Sequence, residues 1–452
     1  MRIAVIGGTG YVGLVTGIGL AAHGNRVICA DIDEKKINNM KNGILPIYEE
    51  GLQELLDKAR TDGEISFTCC LRTAVCESDI ILIAVGTPEN KYGDADMTHL
   101  LRALKTVAGC LNSYKVIAVK STVPVGTCQM ARQFIRNNLK NAAVEFDVVS
   151  NPEFLREGSA VRDFLYPDRI VIGADSTRAA EAMKELYRTF ETPLVVTDVR
   201  SSEMIKYACN SYLATRISFI NEIAEICEKV DADINSVICG MKYDKRIGAS
   251  YLSPGPGFGG PCLSKDIKSL INFSSKSGAN VDMLKSVLRR NEVQITNIIN
   301  YINNTLKGMR SRRVAVLGLS FKAGTNDTRN SPAFYLLEQL VEAGMETIAY
   351  DPVVKQLEEA LKSQVVLAGS IREAASNADC LVVMTEWDEF SGMDLRETYL
   401  AMRTPIIVDT RNIIPAREAY REGFIYRGIG IGQGACEDAL AIPRLLSYTV
   451  NL

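Results

Sequence analysis

The sequence predicts an α/β protein in which two doubly wound domains are joined by a central helical region that contains one long helix. Short β-branched runs alternate with helical patterns over roughly the first 195 residues, and this alternation restarts at Arg312. Between the two lies a segment of about thirty residues without Gly or Pro. Continuous apolar runs separated by helices are typical of a parallel sheet that is covered on both faces.

The first domain, residues 1–198, is predicted from a series of short apolar runs, each followed by a helical pattern. The predicted strands are residues 3–6, 27–30, 80–85, 116–120, 148–150, 170–173 and 194–197. Because parallel strands need helical crossovers, this alternation favours a doubly wound sheet.

The central region, residues 199–308, is predicted to be helical. Residues 201–230 carry apolar side chains at helical spacing, which predicts one long helix. A loop rich in Gly and Pro follows at 252–262, and a further helix is predicted at 282–306.

The C-terminal domain, residues 309–452, is predicted to be a second α/β domain. RRVAVLGLSFKAG and ETIAYDP repeat the order of RIAVIGGTGYVG and NRVICADID at the start of the chain. Further strands are predicted at 381–385 and 406–409.

Composition limits the classes of function. The 452 residues carry a net charge of -3 without blocks of like charge, which argues against nucleic acid or an anionic membrane as partner. No apolar run approaches the roughly 18 residues of a membrane span, and MRIAVIGGTG does not resemble a signal peptide, so we expect a cytoplasmic protein. Twelve scattered Cys without CxxC indicate a reducing compartment and no structural zinc. His23 and His99 are expected to be structural, which leaves acid–base chemistry to Lys, Asp, Glu or water.

A dinucleotide motif opens the chain. GTGYVG, residues 8–13, follows a predicted strand and begins a predicted helix. In this motif Gly8 allows the tight turn, Gly10 lets the backbone approach a pyrophosphate, and Gly13 lets the helix pack closely on the strand. Asp31 ends the next strand, where a carboxylate accepts ribose hydroxyls and repels a 2′-phosphate, so the sequence predicts a Rossmann-like domain that binds NAD rather than NADP. The extra Gly7 leaves the frame of the motif open by one residue. The second α/β domain lacks the later glycines and is the better candidate for another nucleotide.

Four further segments place reactive residues beside glycine-rich backbone. They are KSTVPVG at 120–126, NPEFLREG at 151–158, Lys206 with Asn210 on the long helix, and GPGFGGPCLSKD at 255–266. Lys206 and Asn210 share one helix face because they are four residues apart. Cys262 follows the glycines and precedes a Lys, and a nearby cation favours the nucleophilic thiolate. Each segment alone is also compatible with a structural role.

Taken together and in this order, the segments resemble the UDP-glucose dehydrogenase family of nucleotide-sugar dehydrogenases. VGTP at 85–88, DKRIG at 244–248 and GLSFKAGTNDTR at 318–329 belong to the same pattern, which covers essentially the whole chain. The resemblance implies an NAD domain, a helical middle that forms a homodimer, and a C-terminal domain that binds the UDP of the nucleotide sugar. The chain departs from the family at Pro261, where a small residue is frequent, and at Ser264, where Pro is frequent.

The resemblance also implies a reaction without a metal, in which two NAD⁺ are reduced. The primary alcohol of UDP-glucose becomes an aldehyde, Cys262 adds to give a thiohemiacetal, and oxidation gives a thioester that water hydrolyses to UDP-glucuronate. In the same pattern Lys206 and Asn210 stabilise oxyanions. Asp266 with Thr122 organises a water that takes the alcohol proton, and Glu157 helps to activate the hydrolytic water.

Ligand contacts are implied residue by residue. Those to NAD are Gly8, Gly10, Tyr11, Val12, Gly13, Asp31, Lys36, Thr87, Thr122, Glu157, Lys265 and Arg329. Those to the nucleotide sugar are Glu153, Phe154, Leu155, Arg156, Glu157, Lys206, Asn210, Arg246, Tyr251, Leu252, Ser253, Pro254, Gly255, Gly259 and Lys322. Arg246 is expected to reach the substrate across the dimer interface, and Arg411 is a further candidate that faces it.

Three alternatives stay open at this stage. A sister enzyme would oxidise GDP-mannose or a UDP-N-acetyl sugar by the same chemistry. A single-step NAD-dependent hydroxyacid dehydrogenase would share the architecture but would not need Cys262. A regulator that binds NAD without catalysis would have no use for Lys206, Asn210, Cys262 and Asp266 together.

Overall fold

The computed structural model describes residues 1–309 and 312–432. The described residues form two compact units, one of Met1–Asn210 with Lys265–Asn280, the other of Ser211–Ser264 with the described residues from Val281 onward. Residues 310–311 and 433–452, which belong to the predicted C-terminal domain, lie outside the described residues. Each unit contains one sheet.

The first unit contains a sheet of eight strands in the order β3-β2-β1-β4-β5-β6-β7-β8. The strands are β1 Arg2–Ile6, β2 Arg26–Ala30, β3 Ile65–Thr68, β4 Ile80–Ile83, β5 Lys115–Val119, β6 Phe146–Ser150, β7 Ile170–Gly173 and β8 Leu194–Thr197. Its helices are α1 Tyr11–Ala22, α2 Glu34–Lys41, α3 Leu52–Thr61, α4 Leu71–Glu77, α5 Thr98–Ala108, α6 Thr127–Asn138, α7 Ala160–Leu165 and α8 Thr177–Leu186. Every residue of β4 to β7 is buried, as the continuous apolar runs predict.

Two features of this sheet differ from the sequence prediction. The edge strand β3 was not predicted, because it alternates buried and exposed residues instead of forming an apolar run. The sheet was predicted to be parallel, but β7 runs antiparallel to β6 through the pair Ser150 and Gly173. The connection between them contains the short helix α7, Ala160–Leu165, and local sequence patterns do not record the direction in which the next strand pairs.

Helix α9, Val199–Lys229, has 31 residues and confirms the predicted long helix. Helix α10, Ile234–Lys242, and helix α12, Asp282–Thr305, belong to the second unit. Helix α11, Leu263–Lys276, begins directly after the glycine-rich loop. None of the helices in the described ranges is long and apolar enough to cross a membrane.

The second unit contains a parallel sheet of six strands in the order β11-β10-β9-β12-β13-β14. The strands are β9 Arg313–Leu317, β10 Glu346–Tyr350, β11 Val365–Leu367, β12 Cys380–Val383, β13 Ile406–Asp409 and β14 Ile425–Gly428. The remaining helices are α13 Pro332–Glu342, α14 Ile371–Ala375, α15 Asp388–Ser391, α16 Leu395–Ala401 and α17 Ala416–Glu422. Both sheets contain the 3-2-1-4-5-6 order of Rossmann-like domains, which confirms the predicted fold class.

Candidate active site

The turn after β1 is made by Gly7. Its φ is +80°, and its N–H and that of Gly8 both donate to the carbonyl of Ala30, at 2.9 and 3.0 Å. Gly8 therefore lies within the turn, but Gly7 takes its left-handed conformation, which is the one-residue shift that the extra glycine left open. Gly8 is required for packing, since a Cβ there would lie 2.7 Å from the Cβ of Cys29. A Cβ on Gly13 would lie 2.1 Å from the carbonyl oxygen of Gly7, so α1 packs closely on the turn.

The surroundings of this turn fit a dinucleotide. A Cβ on Gly10 would meet one neighbour within 4 Å, at 3.4 Å, so the backbone beside the N-terminus of α1 is open to a phosphate group. Asp31 is held in place because one carboxylate oxygen accepts from the N–H and the hydroxyl of Thr9, at 3.1 and 2.6 Å. It is partly exposed, so it can accept further bonds from ribose hydroxyls. Lys36 lies exposed on α2, 3.8 Å from Asp33.

The second unit carries an equivalent acid that cannot serve a ribose. Asp351 follows β10 as Asp31 follows β2, but it is only 1% exposed. One of its oxygens accepts from the N–H groups of Leu319 and Ser320, at 2.8 and 3.1 Å, and the other from those of Val353 and Val354, both at 2.9 Å. This carboxylate is occupied by backbone, which agrees with the expectation that the second domain is the poorer dinucleotide site.

Lys206 and Glu153 form a buried ion pair in the first unit. Lys206 Nζ lies 3.0 Å from Glu153 Oε1, and both side chains are at most 10% exposed. The other oxygen of Glu153 accepts from the N–H of Leu155 at 2.6 Å, and the Lys206 ammonium lies 5.3 Å from the ring of Phe154. A buried ammonium beside a carboxylate is not a solvated helix lysine, and it can stabilise developing negative charge.

Asn210, one turn further along α9, contacts a second buried acid. Its amide nitrogen donates to Asp266 Oδ2 at 2.6 Å, and Lys265 Nζ donates to the other oxygen at 2.6 Å. Asp266 lies in the first turn of α11 and is 1% exposed. The structure therefore brings together Lys206 with Glu153, and Asn210 with Asp266 and Lys265.

Lys120 is an ionisable group whose importance the motif alone did not indicate. It is buried, and its ammonium lies 3.4 Å from the amide oxygen of Asn151. Burial lowers the pKa of Lys120 to about 8, with Glu153 opposing the change and Lys206 adding to it. Lys120 and Glu153 both line a cavity of about 330 Å³. The signal in the sequence that could have identified Lys120 is its position directly after a continuous apolar strand.

The segments that carry Thr122 and Glu157 are each anchored by a side chain from elsewhere in the first unit. The hydroxyl of Thr87 donates to the carbonyl of Thr122 at 2.9 Å. Glu49 is buried and accepts from the N–H groups of Gly158 and Ala160, at 2.9 and 2.6 Å, directly after Glu157. The hydroxyl of Tyr11 also donates to Glu49. Glu49 was not predicted, and no local pattern marks it, because the two N–H groups from which it accepts lie more than 100 residues away in sequence.

In the second unit, polar side chains from two helices fix the loop before Cys262. Asn221 accepts from the N–H of Gly255 at 2.8 Å, and Gln294 donates to the carbonyl of Gly255 at 2.8 Å. The side-chain amide of Asn291 bonds both backbone groups of Phe258, at 2.7 and 3.0 Å. Cys262 is exposed and directly precedes α11. The three amide side chains were not predicted, since Asn and Gln on helices carry no distinctive spacing.

The glycines of this loop allow close packing within the second unit. A Cβ on Gly259 would lie 2.5 Å from the carbonyl oxygen of Asn330, and one on Gly260 would lie 2.8 Å from the ring of Phe321. A Cβ on Gly255 would lie 3.3 Å from the guanidinium of Arg411. The loop therefore lies against the GLSFKAG segment and Arg411.

The other predicted substrate residues of this unit differ in exposure. Leu252, Pro254 and Gly255 are buried, Tyr251, Gly259 and Lys322 are partly buried, and Ser253 is exposed. Arg329 pairs with Asp327. Arg246 is 89% exposed and pairs with Asp244 at 2.6 Å.

Among the described residues, no group of three or more His, Cys, Asp or Glu is arranged to hold a metal ion.

Comparison with known proteins agrees with this geometry. Models of the UDP-glucose/GDP-mannose dehydrogenase family match residues 1–191 as the NAD binding domain, 200–293 as the central domain and 315–416 as the UDP binding domain. A UDP-glucose 6-dehydrogenase of Bacillus subtilis (strain 168) is 43% identical over 95% of this chain and 93% of its own, and one of Rhizobium meliloti (strain 1021) is 42% identical over 95% and 99%. The solved structure of a UDP-glucose dehydrogenase from Pyrobaculum islandicum matches with a TM-score of 0.89 at 35% identity, over 95% of this chain and 97% of that one. The chain belongs to the UDP-glucose/GDP-mannose dehydrogenase family.

Proposed function

We propose that this protein oxidises UDP-glucose to UDP-glucuronate with two molecules of NAD⁺. The observation that carries the proposal is the pair of buried networks on α9, Lys206 with Glu153 and Asn210 with Asp266. Burying ionic groups costs free energy, and such groups are frequent where they serve chemistry or specificity. The similarity to UDP-glucose 6-dehydrogenases over 95% of the chain supports the choice of substrate.

NAD would be held by the turn at Gly7–Gly10, the N-terminus of α1 and Asp31, and when bound it accepts hydride. The fixed carboxylate of Asp31 favours a ribose with a free 2′-hydroxyl. Thr87, Thr122 and Lys265 are the further cofactor contacts that we propose in the first unit.

Cys262 is the nucleophile that makes the second oxidation possible. In the first oxidation the alcohol carbon loses a hydride and its oxygen loses a proton, which gives the aldehyde. The Cys262 thiolate then adds to the aldehyde carbon, because a tetrahedral thiohemiacetal is a better hydride donor than an aldehyde. Loss of the second hydride gives a thioester, and water replaces the sulfur to release the acid and the thiol.

The two buried networks supply the acid–base and electrostatic contributions to catalysis. The Lys206 ammonium and the Asn210 amide donate to the oxyanions that form on the substrate oxygen. Asp266, held by Asn210 and Lys265, accepts the alcohol proton through a water that Thr122 also binds. Glu157 activates the hydrolytic water.

The three domains are assigned the roles of the family. Residues 1–198 bind NAD, residues 199–308 carry Cys262 and form a dimer, and residues 309–452 bind the UDP part of the substrate. The absence of CxxC pairs and the use of NAD support a cytoplasmic location.

An apolar stripe on α9 supports a homodimer. Tyr212, Phe219 and Ile226 recur every seven residues, and they are 61%, 50% and 49% exposed. Large apolar side chains exposed in one row on a helix are typical of a helix–helix interface. The exposed Arg246 would reach the substrate bound to the other copy.

Phe219→Glu tests the dimer. A carboxylate buried in an apolar interface is strongly unfavourable, so we expect the variant to sediment as a monomer where the wild type sediments as a dimer. Leu400→Glu, at a side chain that is 68% exposed on α16, is the matched control and should leave the sedimentation coefficient unchanged. A dimeric Phe219→Glu protein would exclude the stripe as the interface.

The amount of NADH formed per UDP-glucose consumed tests the proposed reaction. We expect two NADH per UDP-glucose and little turnover of GDP-mannose or a UDP-N-acetyl sugar in parallel assays. One NADH would favour a single-step dehydrogenase and remove the thioester route. Turnover of GDP-mannose or the N-acetyl sugar alone would keep the chemistry and assign the chain to the sister enzymes.

A further inference from the structure

Glu203 is a buried carboxylate on α9 that the proposed mechanism does not use. It is 3% exposed. Its Oε2 accepts from the N–H of Gly126 at 2.6 Å, and its Oε1 accepts from the N–H of Cys128 at 2.7 Å. Gly126 is the N-cap residue of α6, so Glu203 binds two of the N–H groups that a helix N-terminus leaves without intrahelical partners.

Glu203 belongs to the same face of α9 as Lys206 and Asn210. At 100° per residue the three side chains fall within about 60° of one another around the helix. Each one bonds a different segment: Glu203 the start of α6, Lys206 the residue Glu153, and Asn210 the residue Asp266. One helix face thus holds three parts of the candidate site.

The segment that Glu203 holds carries Thr122. At its beginning, the N–H groups of Lys120 and Ser121 donate to the carbonyl of Ile83, and the Ser121 hydroxyl donates to that of Val85 at 2.6 Å. At its end it is held by Glu203. Gly126 has a φ of +94°, so the chain turns sharply where the carboxylate binds it. Thr122 lies between the two anchors.

We propose that Glu203 is a positioning residue, which fixes the Thr122 segment in register with the face of α9 that presents Lys206 and Asn210. The carboxylate suits this role because it has two acceptor oxygens for two N–H groups, and bonds to an ionised acceptor are stronger than neutral ones. The inference rests on the proposed function, since Thr122 is assigned there to the alcohol proton.

Glu203→Gln is the first test, because the amide keeps the shape but can accept only one of the two bonds and turns an NH₂ group toward the other N–H. We expect kcat to fall about 10- to 100-fold, while both KM values stay within about threefold of wild type. Glu54→Gln, the same change at an exposed position on α3, is the control and should leave both parameters unchanged.

A double-mutant cycle with Thr122→Ala separates positioning from general destabilisation. If Glu203 acts through Thr122, Glu203→Gln should cost less than about threefold in kcat in the Thr122→Ala protein. An equal loss in both backgrounds, or a kcat within twofold of wild type in the single variant, overturns the proposal. If Glu203→Gln does not fold, Glu203→Asp replaces it in the same cycle. If neither variant gives a cooperative unfolding transition, Glu203 is a structural residue, and this result also overturns the proposal. A wild type without UDP-glucose oxidation would instead remove the proposed function.

Discussion

Replacing Cys262 with alanine is expected to abolish the formation of UDP-glucuronate while leaving NAD binding intact. Without the thiol, the aldehyde has no nucleophile to make it tetrahedral, so the second oxidation has no efficient donor. The exposed position of Cys262 directly before α11 means that the substitution removes little packing. The measurement is acid formed over a fixed time, with NAD binding followed by protein fluorescence.

The control for this prediction is Cys239→Ala, because Cys239 is also exposed but lies on α10 and has no proposed role. That variant should form acid at the wild-type rate. If Cys262→Ala loses NAD binding as well, Cys262 has a structural role. If it forms acid at full rate, a different nucleophile is the better explanation.

Lys206→Met is expected to have the second largest effect, a fall of about 10²–10³ in kcat, since removing one oxyanion donor typically has this cost. The variant also leaves Glu153 buried without its cation, and breaking a buried pair destabilises a protein by about 3–5 kcal/mol. The loss of activity and the loss of stability must therefore be separated.

The double variant Lys206→Met/Glu153→Gln separates them. Removing both charges should restore much of the thermal stability, because the unpaired buried carboxylate is gone. We expect kcat to stay low, since the oxyanion donor is still missing. Recovery of both stability and kcat in the double variant would assign Lys206 a structural role and contradict the prediction.

The sequence predicted the fold class because burial on both faces leaves a local mark. Strands such as β4 and β5 are continuous apolar runs, and α9 is a long segment without Gly or Pro. It missed β3, whose residues alternate, and it did not predict the antiparallel β7. Both depend on which strands become neighbours in the sheet and in which direction they pair, and local patterns do not record either.

The candidate site also combines residues that the sequence predicted with contacts that it did not. Residue type and spacing predicted the role of Asp31, because a glycine-rich turn and the acid after the next strand can be recognised in the local sequence. They marked Lys206, Asn210 and Cys262 only as candidates, and their roles, with that of Asp266, came from the resemblance of the whole set of segments to the family.

What only the tertiary structure decided is which groups meet. It placed the left-handed residue of the turn at Gly7, buried Lys120 so that its pKa falls to about 8, and made Glu49 and Glu203 acceptors for distant backbone. The hydrogen bonds of Glu49 and Glu203 to the backbone join residues from 75 to more than 100 positions apart. Desolvation and hydrogen bonding at such distances depend on how elements pack, so no local pattern in the chain can specify them.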